Sequence, residues 1–403
     1  MFTENEAEIE GSFKFLLASR ALRSVAIILV NLSLSLYLKA LGYGLIFIGV
    51  VYFIIVLFNV FFTLALGYLG DRIGYARAMI LGELFPLIAF LGLAVSENIY
   101  VIIASAALGG ITGTPGGMRG AFSPGMTSYI ASNWPEERER IDKLSKVFAV
   151  SSISAIGGSL LLAMHGFLSK FFGPINSFRV LFGTSFILIL ASLFTLSLLK
   201  ERRRPKKTAA IMKKESFSYS LRVIVPNVIN GLGVGIAFPL LPLWFELNYN
   251  VSASVVGFIF TAAYAFTALG SYFSGNFMRS KKVRAITVSS SARLIQGLLL
   301  IALAFSPFLL LSVAIYSVRS FIAGLGSPIR SAINVRGISS EDYGTASAVQ
   351  GIFTRSSQLT SGLSGYLMSE GLDLPLLTGG FFQVAGALAF YALIRSWEKK
   401  HSF

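Results

Sequence analysis

The sequence predicts an all-α membrane protein in which twelve helices cross the bilayer. Of its 403 residues, 54% are hydrophobic and only 13% are charged, whereas a soluble globular domain carries roughly 25% charged residues. The mean hydropathy is +0.72. Apolar stretches of about 18 residues or more recur along the chain, and each is long enough to span a bilayer as a helix. The short alternating segments of a membrane β-barrel are absent from the sequence.

The predicted spans follow the apolar stretches in order, and the shorter polar stretches between them are predicted as turns. They cover residues 13–40, 44–66, 78–96, 99–131, 147–169, 178–199, 217–247, 252–278, 284–305, 307–330, 345–369 and 374–396. Several are longer than the ~20 residues that a bilayer requires, which predicts tilted helices or helices that extend into water.

Several function classes lack support in the sequence. The first ten residues hold four glutamates, unlike the basic start of a secretory signal, so we expect no cleavage. The chain has no cysteine, its only histidines are His165 and His401, and neither HExxH nor GxxxxGK[ST] occurs. We therefore expect no enzyme activity, no metal site and no cofactor.

Basic residues predict the orientation in the membrane. Residues 200–216 hold eight Lys or Arg against two Glu, and 279–284 and 395–400 are also basic. With twelve spans these segments lie on one side, which the positive-inside rule assigns to the cytoplasm together with both termini. We expect a multi-pass protein of the plasma membrane. The net charge of +15 then reflects topology and contact with lipid headgroups and requires no nucleic-acid partner, although a separate binding role for 200–216 stays open.

The two halves of the chain resemble each other at an offset of 204 residues. The segment SFKFLL at 12–17 resembles SFSYSL at 216–221, and Pro124 and Gly158 have counterparts in Pro328 and Gly362. The repeat predicts two pseudo-symmetric six-helix bundles, residues 1–199 and 217–403, joined by the basic linker 200–216. Transporters built from such repeats bind their substrate between the halves.

Residues 67–77, between the second and third spans, carry a glycine-rich charged motif. In GYLGDRIGYAR, the residues Gly67, Leu69, Asp71, Arg72, Gly74 and Arg77 match G-x-L-x-D-R-x-G-R-R/K, the loop motif of the major facilitator superfamily. Ala76 departs from that motif, and the corresponding segment 275–284 has no aspartate. PEERER at 135–140 is similar to the P-x-x-R loop of the same family. The resemblance covers essentially the whole chain and implies a transporter of two six-helix bundles.

Asp71 is predicted to act as a conformational latch with Gly67, Arg72, Gly74 and Arg77. A carboxylate at this membrane surface is well placed to contact the positive N-terminal end of a helix from the other half. The resemblance implies that this helix is the eleventh, which begins near residues 343–346, and that the contact forms in one conformation only. The alternative is a solvated turn in which Asp71 makes a local salt bridge.

Ionisable side chains inside the predicted spans each need a partner or water. They are Arg20, Arg23, Glu83, Arg119, Arg293, Arg319 and Arg355. Arg20 lies roughly 10 Å from the start of its span and could snorkel, whereas Arg119, Arg319 and Arg355 lie about 15–18 Å deep. The resemblance implies that helices 1, 4, 7 and 10 line the cavity, helices 2, 5, 8 and 11 flank it, and helices 3, 6, 9 and 12 lie outside. It therefore favours Arg119, Arg319 and Arg355 as pathway residues, with Arg293 and Glu83 in structural contacts.

Uncharged polar residues add further candidates for the pathway. Gln358 shares one face of the eleventh helix with Gly351, Arg355 and Gly362, at helical spacing. The other candidates are Asn227 and Asn230 in the seventh span and Asn31 in the first. Hydrogen bonds between helices are the alternative role for these amides.

We expect a monomeric secondary transporter that moves a small solute by rocker-switch alternating access. The buried arginines favour an organic or inorganic anion as substrate, because guanidinium groups bind carboxylate and phosphate bidentately. Drug efflux by proton antiport is the alternative, and a membrane sensor or lipid-handling protein is an alternative of another class. The sequence leaves open whether a proton is the coupling ion.

Overall fold

The structure is a computed structural model that describes residues 4–111, 125–126, 129–130, 133–134, 137–201, 212–280, 284–339 and 342–400. Each predicted span contains a described helix, and the helices are numbered α1 to α12, with letters where one span holds two segments. The first half contains α1 (Glu4–Ala40), α2 (Leu45–Ile73), α3 (Tyr75–Val95), α4 (Ile99–Gly109), α5a (Glu137–Ala163), α5b (His165–Phe172) and α6 (Pro174–Ser197). The second half contains α7a (Lys214–Ala237), α7b (Leu241–Tyr249), α8 (Ala253–Ser280), α9 (Ala285–Ala304), α10 (Leu309–Val335), α11a (Tyr343–Ser357), α11b (Ser361–Glu370) and α12 (Leu374–Lys400).

Length and composition suit these helices to a bilayer. Ten of those in the described part of the chain are long and apolar enough to cross a membrane. The two spans not among the ten are the fourth, of which the described helix has 11 residues, and the eleventh, which is polar and interrupted. The prediction of an all-α polytopic membrane protein is confirmed.

Particular residues end the helices where the chain turns. Gly74 (φ 98°) separates α2 from α3, and Gly173 (φ 79°) separates α5b from α6. Side chains other than glycine rarely adopt such angles. The Oδ1 atom of Asn98 accepts a hydrogen bond from the amide of Tyr100 at 2.9 Å and caps α4.

Three predicted spans, the fifth, the seventh and the eleventh, are each divided into two helical segments in the structure, and the break in the eleventh bears most on the candidate site. The eleventh span is interrupted by a 3₁₀ turn at Gln358–Thr360. There the hydroxyl of Thr360 donates to the carbonyl of Leu232 on α7a at 2.8 Å, and a Cβ on Gly235 would lie 2.7 Å from the carbonyl oxygen of Gln358. Contact with α7a therefore breaks the helical register that the sequence predicted from Arg355 through Gln358.

Helix pairing repeats between the two halves. In the first half α1 packs on α5a and α6, and α3 packs on α6. In the second half α7a packs on α11a and α12, and α9 packs on α12. Pairs across the interface repeat too, since α5a packs on α8 and α11b packs on α2. Two pseudo-symmetric six-helix bundles account for this pattern.

Helix α3 has one exposed apolar face, as expected for a helix that faces lipid. Its exposed apolar side chains recur every three to four residues, which is one face of a helix. They are Leu81, Leu84, Ile88, Leu91 and Val95, and on α6 the exposed set includes Ile187, Leu190 and Phe194. The outward faces are therefore apolar.

The apolar core joins the bundles at one end and is divided at the other. We call the end with the 200–216 linker the basic end, and the end with Glu97, Glu246, Glu370 and Asp373 the acidic end. Among the described residues, one cluster at the acidic end combines buried side chains of both bundles, from Leu38 on α1 to Trp244 on α7b. At the basic end each bundle has its own separate cluster.

Candidate functional site

Backbones of the two bundles touch directly at the acidic end. A Cβ on Gly257 of α8 would lie 2.4 Å from the amide nitrogen of Ala163 on α5a, and one on Gly49 of α2 would lie 2.8 Å from that of Gly365 on α11b. Nearby, the hydroxyl of Thr261 donates to Ser159 across the interface at 3.0 Å. Small residues on both sides thus close this end of the interface.

Arg355 crosses from the second bundle to the first, deeper in the membrane than these glycine contacts. Its Nη1 donates to Oδ1 of Asn59 at 3.3 Å and to the hydroxyl of Thr63, both on α2. The amide of Asn59 in turn donates to the carbonyl of Gly110, at the end of α4, at 3.0 Å. The Arg355 side chain is half-buried. A guanidinium therefore lies between the bundles and bonds to an amide and a hydroxyl oxygen of α2.

Arg319 is held inside the second bundle. It is 3% exposed, its Nη2 donates to Oε1 of Gln383 on α12 at 3.1 Å, and its guanidinium lies 4.5 Å from the ring centroid of Phe238. Among the described residues, both of these contacts lie within the second bundle. Arg119, the third arginine predicted for the pathway, lies outside the described residues.

The four predicted amides occupy different environments. Asn227 accepts a hydrogen bond from Nη2 of Arg293 on α9 and is buried by that contact. Asn230 is half-buried against Gly386 of α12. Asn31 and Gln358 are half-buried, on α1 and on the 3₁₀ turn. Asn227 therefore bridges helices within one bundle, whereas Asn31 and Gln358 stay partly accessible.

The buried carboxylate of Glu83 forms a structural pair. It accepts from Arg23 on α1 and, at 2.6 Å, from the hydroxyl of Ser192 on α6. Arg23 on α1 and Asn227 on α7a occupy equivalent positions in the two halves, because they are 204 residues apart. Arg23 bonds to Glu83 on α3, and Asn227 bonds to Arg293 on the equivalent helix α9. Arg20 is 1% exposed, which overturns the expectation that it snorkels, because α1 is enclosed by protein there.

The charged motif at 67–77 lies at the basic end. Gly67 and Asp71 belong to α2, and their side chains lie outside the described ones. Arg72 is exposed with its guanidinium 4.3 Å from the ring centroid of Tyr68, and Arg77 is exposed. Gly74 forms the turn between the two helices.

A glutamate that the sequence analysis missed caps this motif. The carboxylate of Glu201 accepts from the amide of Tyr75 at 3.0 Å and from that of Ala76 at 2.9 Å, at the start of α3. An anion at a helix N-terminus is stabilised by the helix dipole. The signal in the sequence was an acidic residue at the start of an otherwise basic linker.

Asp342 precedes helix α11a without capping it. Its Oδ2 accepts from the amide of Lys213 at 3.1 Å and from the hydroxyl of Ser339 at 2.9 Å. A hydrogen bond from Ser216, with those from Ser339 and Lys213, lowers the pKa of the Asp342 carboxyl below its usual value. The start of α11a thus receives no hydrogen bond from its own N-cap side chain.

Two repeated six-helix bundles that meet around a few polar side chains form the architecture of a membrane transporter. The sequence matches the model of the Major Facilitator Superfamily over residues 16–360, and the chain belongs to that family. Membership in that family and the apolar helices identify the chain as a multi-pass membrane protein.

Among curated proteins, the chain is similar to the multi-drug resistance efflux pump PmrA of Streptococcus pneumoniae, with 32% identity over 154 residues. That match spans 38% of this chain and 35% of the relative, about a third of its length.

Solved structures share the fold at low sequence identity. PepTSo, a POT family transporter, has a TM-score of 0.74 at 13% identity and covers 96% of this chain and 98% of its own. A bacterial homologue of the human lysosomal transporter Spinster, described as inward-facing and unoccupied, has a TM-score of 0.73 at 12% identity, covering 97% and 98%. The human organic anion transporter MFSD10 (TETRAN) has a TM-score of 0.66 at 13% identity, covering 96% and 100%.

Proposed function

We propose that this protein is a secondary transporter that works by alternating access. The supporting observation is the division of its apolar core, which is shared by both bundles at the acidic end and separate at the basic end. Rocking the bundles about their interface would exchange which end is closed. The conformation described is the one with a closed acidic end.

In the proposed topology the protein lies in the plasma membrane. Its basic end is on the cytoplasmic side. Residues 200–216 then form a cytoplasmic linker between bundles 1–199 and 217–403, in contact with anionic lipid headgroups. Both termini are cytoplasmic, the protein acts as a monomer, and the described conformation is open inward. A proton is the candidate coupling ion.

The proposed substrate is a small organic or inorganic anion, and Arg355 is its ligand. Among the described residues, Arg319 bonds within the second bundle and Arg23 pairs with Glu83 within the first, so neither guanidinium bridges the interface. Arg355 lies between the bundles, where it bonds to the side-chain amide of Asn59 and the hydroxyl of Thr63 on α2. A carboxylate or phosphate could replace those partners and would bind a guanidinium more strongly than an amide or hydroxyl does.

Drug efflux by proton antiport is the second candidate, favoured by the partial match to PmrA. An exported cation or a coupled proton would need an accessible acid in the pathway. Glu83 is fully buried in its pair with Arg23, and it lies in α3, outside the interface. This arrangement favours the anion.

The substrate class is tested by thermal unfolding of the purified protein with organic anions, organic cations, sugars and drugs, because a ligand of the native state raises apparent stability. Anions should stabilise the protein. Arg355→Gln should weaken their affinity about tenfold or more, since a hydrogen bond to a charged group contributes ~1.5–3 kcal/mol. The half-buried Arg222→Gln serves as the matched control. Stabilisation by cationic drugs alone, unchanged in Arg355→Gln, would support efflux and contradict the anion.

Alternating access is tested with the substrate found in that screen. Cysteines replace Ser159 and Thr261, whose hydroxyls are 3.0 Å apart across the interface, and a short bifunctional thiol reagent joins them. Counterflow in proteoliposomes should stop on cross-linking and recover on reduction. Unchanged counterflow in the cross-linked protein would contradict rocking of the bundles.

A further inference from the structure

A second group of basic side chains lies inside the second bundle, away from the interface that holds Arg355. Arg293 on α9 is 4% exposed, and its guanidinium lies 4.7 Å from the ring centroid of Phe390. Nη2 donates to Asn227, but Nε and Nη1 have no hydrogen-bond partner among the described residues. Buried donors of a cation are costly when they are left without acceptors.

Arg330 on α10 faces the same space. A Cβ on Gly326, one turn before Arg330, would lie 2.9 Å from the Cβ of Ala292, so this face of α10 packs on α9 beside Arg293. The hydrogen bond found for Arg330, from Nη2 to the hydroxyl of Ser327, is 3.5 Å long and weak.

The described residues supply this pair with no carboxylate. The ion pair found in the second bundle joins Arg336 to Glu398, closer to the basic end. In the first bundle the buried Arg23 has the carboxylate of Glu83, so the two bundles differ here. Ser289, one turn before Arg293 on α9, is buried, and its hydroxyl also has no hydrogen-bond partner among the described residues. Two arginines and a spare hydroxyl donor thus lie on neighbouring turns of the packed helices α9 and α10.

We propose that Arg293 and Arg330, with the hydroxyl of Ser289, form a binding site for a small oxyanion within the second bundle. A phosphate or carboxylate group would accept from the unused guanidinium donors and offset the repulsion between the two cations. The phosphate could be free in solution or belong to a lipid headgroup, since α9 is an outer helix beside lipid. The site is separate from Arg355 and does not depend on which solute is transported.

The test measures apparent Tm of the full chain in detergent at constant ionic strength, with and without inorganic phosphate. Phosphate should raise the Tm of the wild type, of Arg355→Gln, and of Arg284→Gln, which removes an exposed arginine before α9. Arg330→Gln should lose that shift, and without phosphate it should be at least as stable as the wild type, because the repulsion is gone. Arg330→Lys keeps the charge without the planar fork and should need about tenfold more phosphate for the same shift.

A second arm identifies the source of the phosphate group. Short-chain phosphatidic acid and phosphatidylcholine are compared in the same variants. A shift that needs phosphatidic acid and disappears in Arg330→Gln assigns the site to a lipid headgroup, whereas an equal shift with inorganic phosphate assigns it to a free anion. Equal shifts in wild type and Arg330→Gln, or no shift with either probe, would overturn the proposal. Loss of the shift in Arg355→Gln but not in Arg330→Gln would place the anion at the interface instead.

Discussion

The buried pair of Arg23 and Glu83 shows how much one residue can contribute in this fold. Replacing Glu83 with Gln would leave Arg23 without its carboxylate, and breaking a buried pair costs about 3–5 kcal/mol in proteins. Glu97→Gln is the control, because Glu97 pairs with Arg179 at 2.7 Å in an exposed position, where such pairs contribute about 0–1 kcal/mol. Denaturant unfolding in detergent measures both. Equal small losses would mean that Arg23 finds another partner.

Sequence reasoning succeeded for some residues and not for others, for a geometric reason. The depth of Glu83 in the membrane and its position on an outer helix were enough to predict that it has a structural partner. The partner of Arg319 depends on the rotation of α10 against α12, which places Gln383 within 3.1 Å and which periodicity alone does not determine. Asn227 was ambiguous for the same reason, since an amide on a helix can serve the pathway or a neighbouring helix.

At the scale of helices, the sequence predicted the turns better than it predicted helix breaks that are caused by packing. The turns at Gly74 and Gly173 follow directly from glycine and from the change to polar sequence. The 3₁₀ turn at Gln358–Thr360 depends on a hydrogen bond to Leu232, 128 residues away, so a local pattern cannot predict it. The capping of α3 by Glu201 is equally non-local, although helix-dipole chemistry could have suggested it.

The close glycine contact between α8 and α5a at the acidic end predicts the effect of a larger side chain at that position. Gly257→Leu on α8 would place a side chain where even a Cβ comes within 2.4 Å of Ala163 on α5a, so it should prevent this end from closing. Spin labels at Lys170 and Glu370, on exposed ends of opposite bundles, should report longer distances. Gly351→Leu is the control, since a Cβ there meets nothing within 4 Å. Unchanged distances in Gly257→Leu would mean that α5a and α8 can move apart locally while the acidic end of the interface stays closed.

At the scale of the whole molecule, the two ends of the interface differ in what holds them closed. The acidic end is held closed by apolar burial and by direct contact between backbones. Each contact contributes little to the free energy of closure, but there are many of them. The basic end has separate cores, so closing it must depend on fewer and more electrostatic contacts. The proposed contact between Asp71 and the start of α11a fits that need, because the N-cap residue Asp342 bonds to Lys213 and Ser339 instead of its own helix.

Asp71→Asn should therefore shift the molecule towards the conformation with an open basic end. A carboxylate at a helix N-terminus contributes about 0.3–1 kcal/mol, and ~2 kcal/mol when partly buried, so a loss of about 1 kcal/mol changes the population ratio about fivefold. Spin labels at Ser145 and Ser331, exposed on α5a and α10 near the basic end, should report more of the longer distance. Arg72→Gln, which removes a neighbouring exposed charge, is the control. An unchanged distance distribution in Asp71→Asn, with normal transport, would leave Asp71 as a solvated turn residue and require another closing contact.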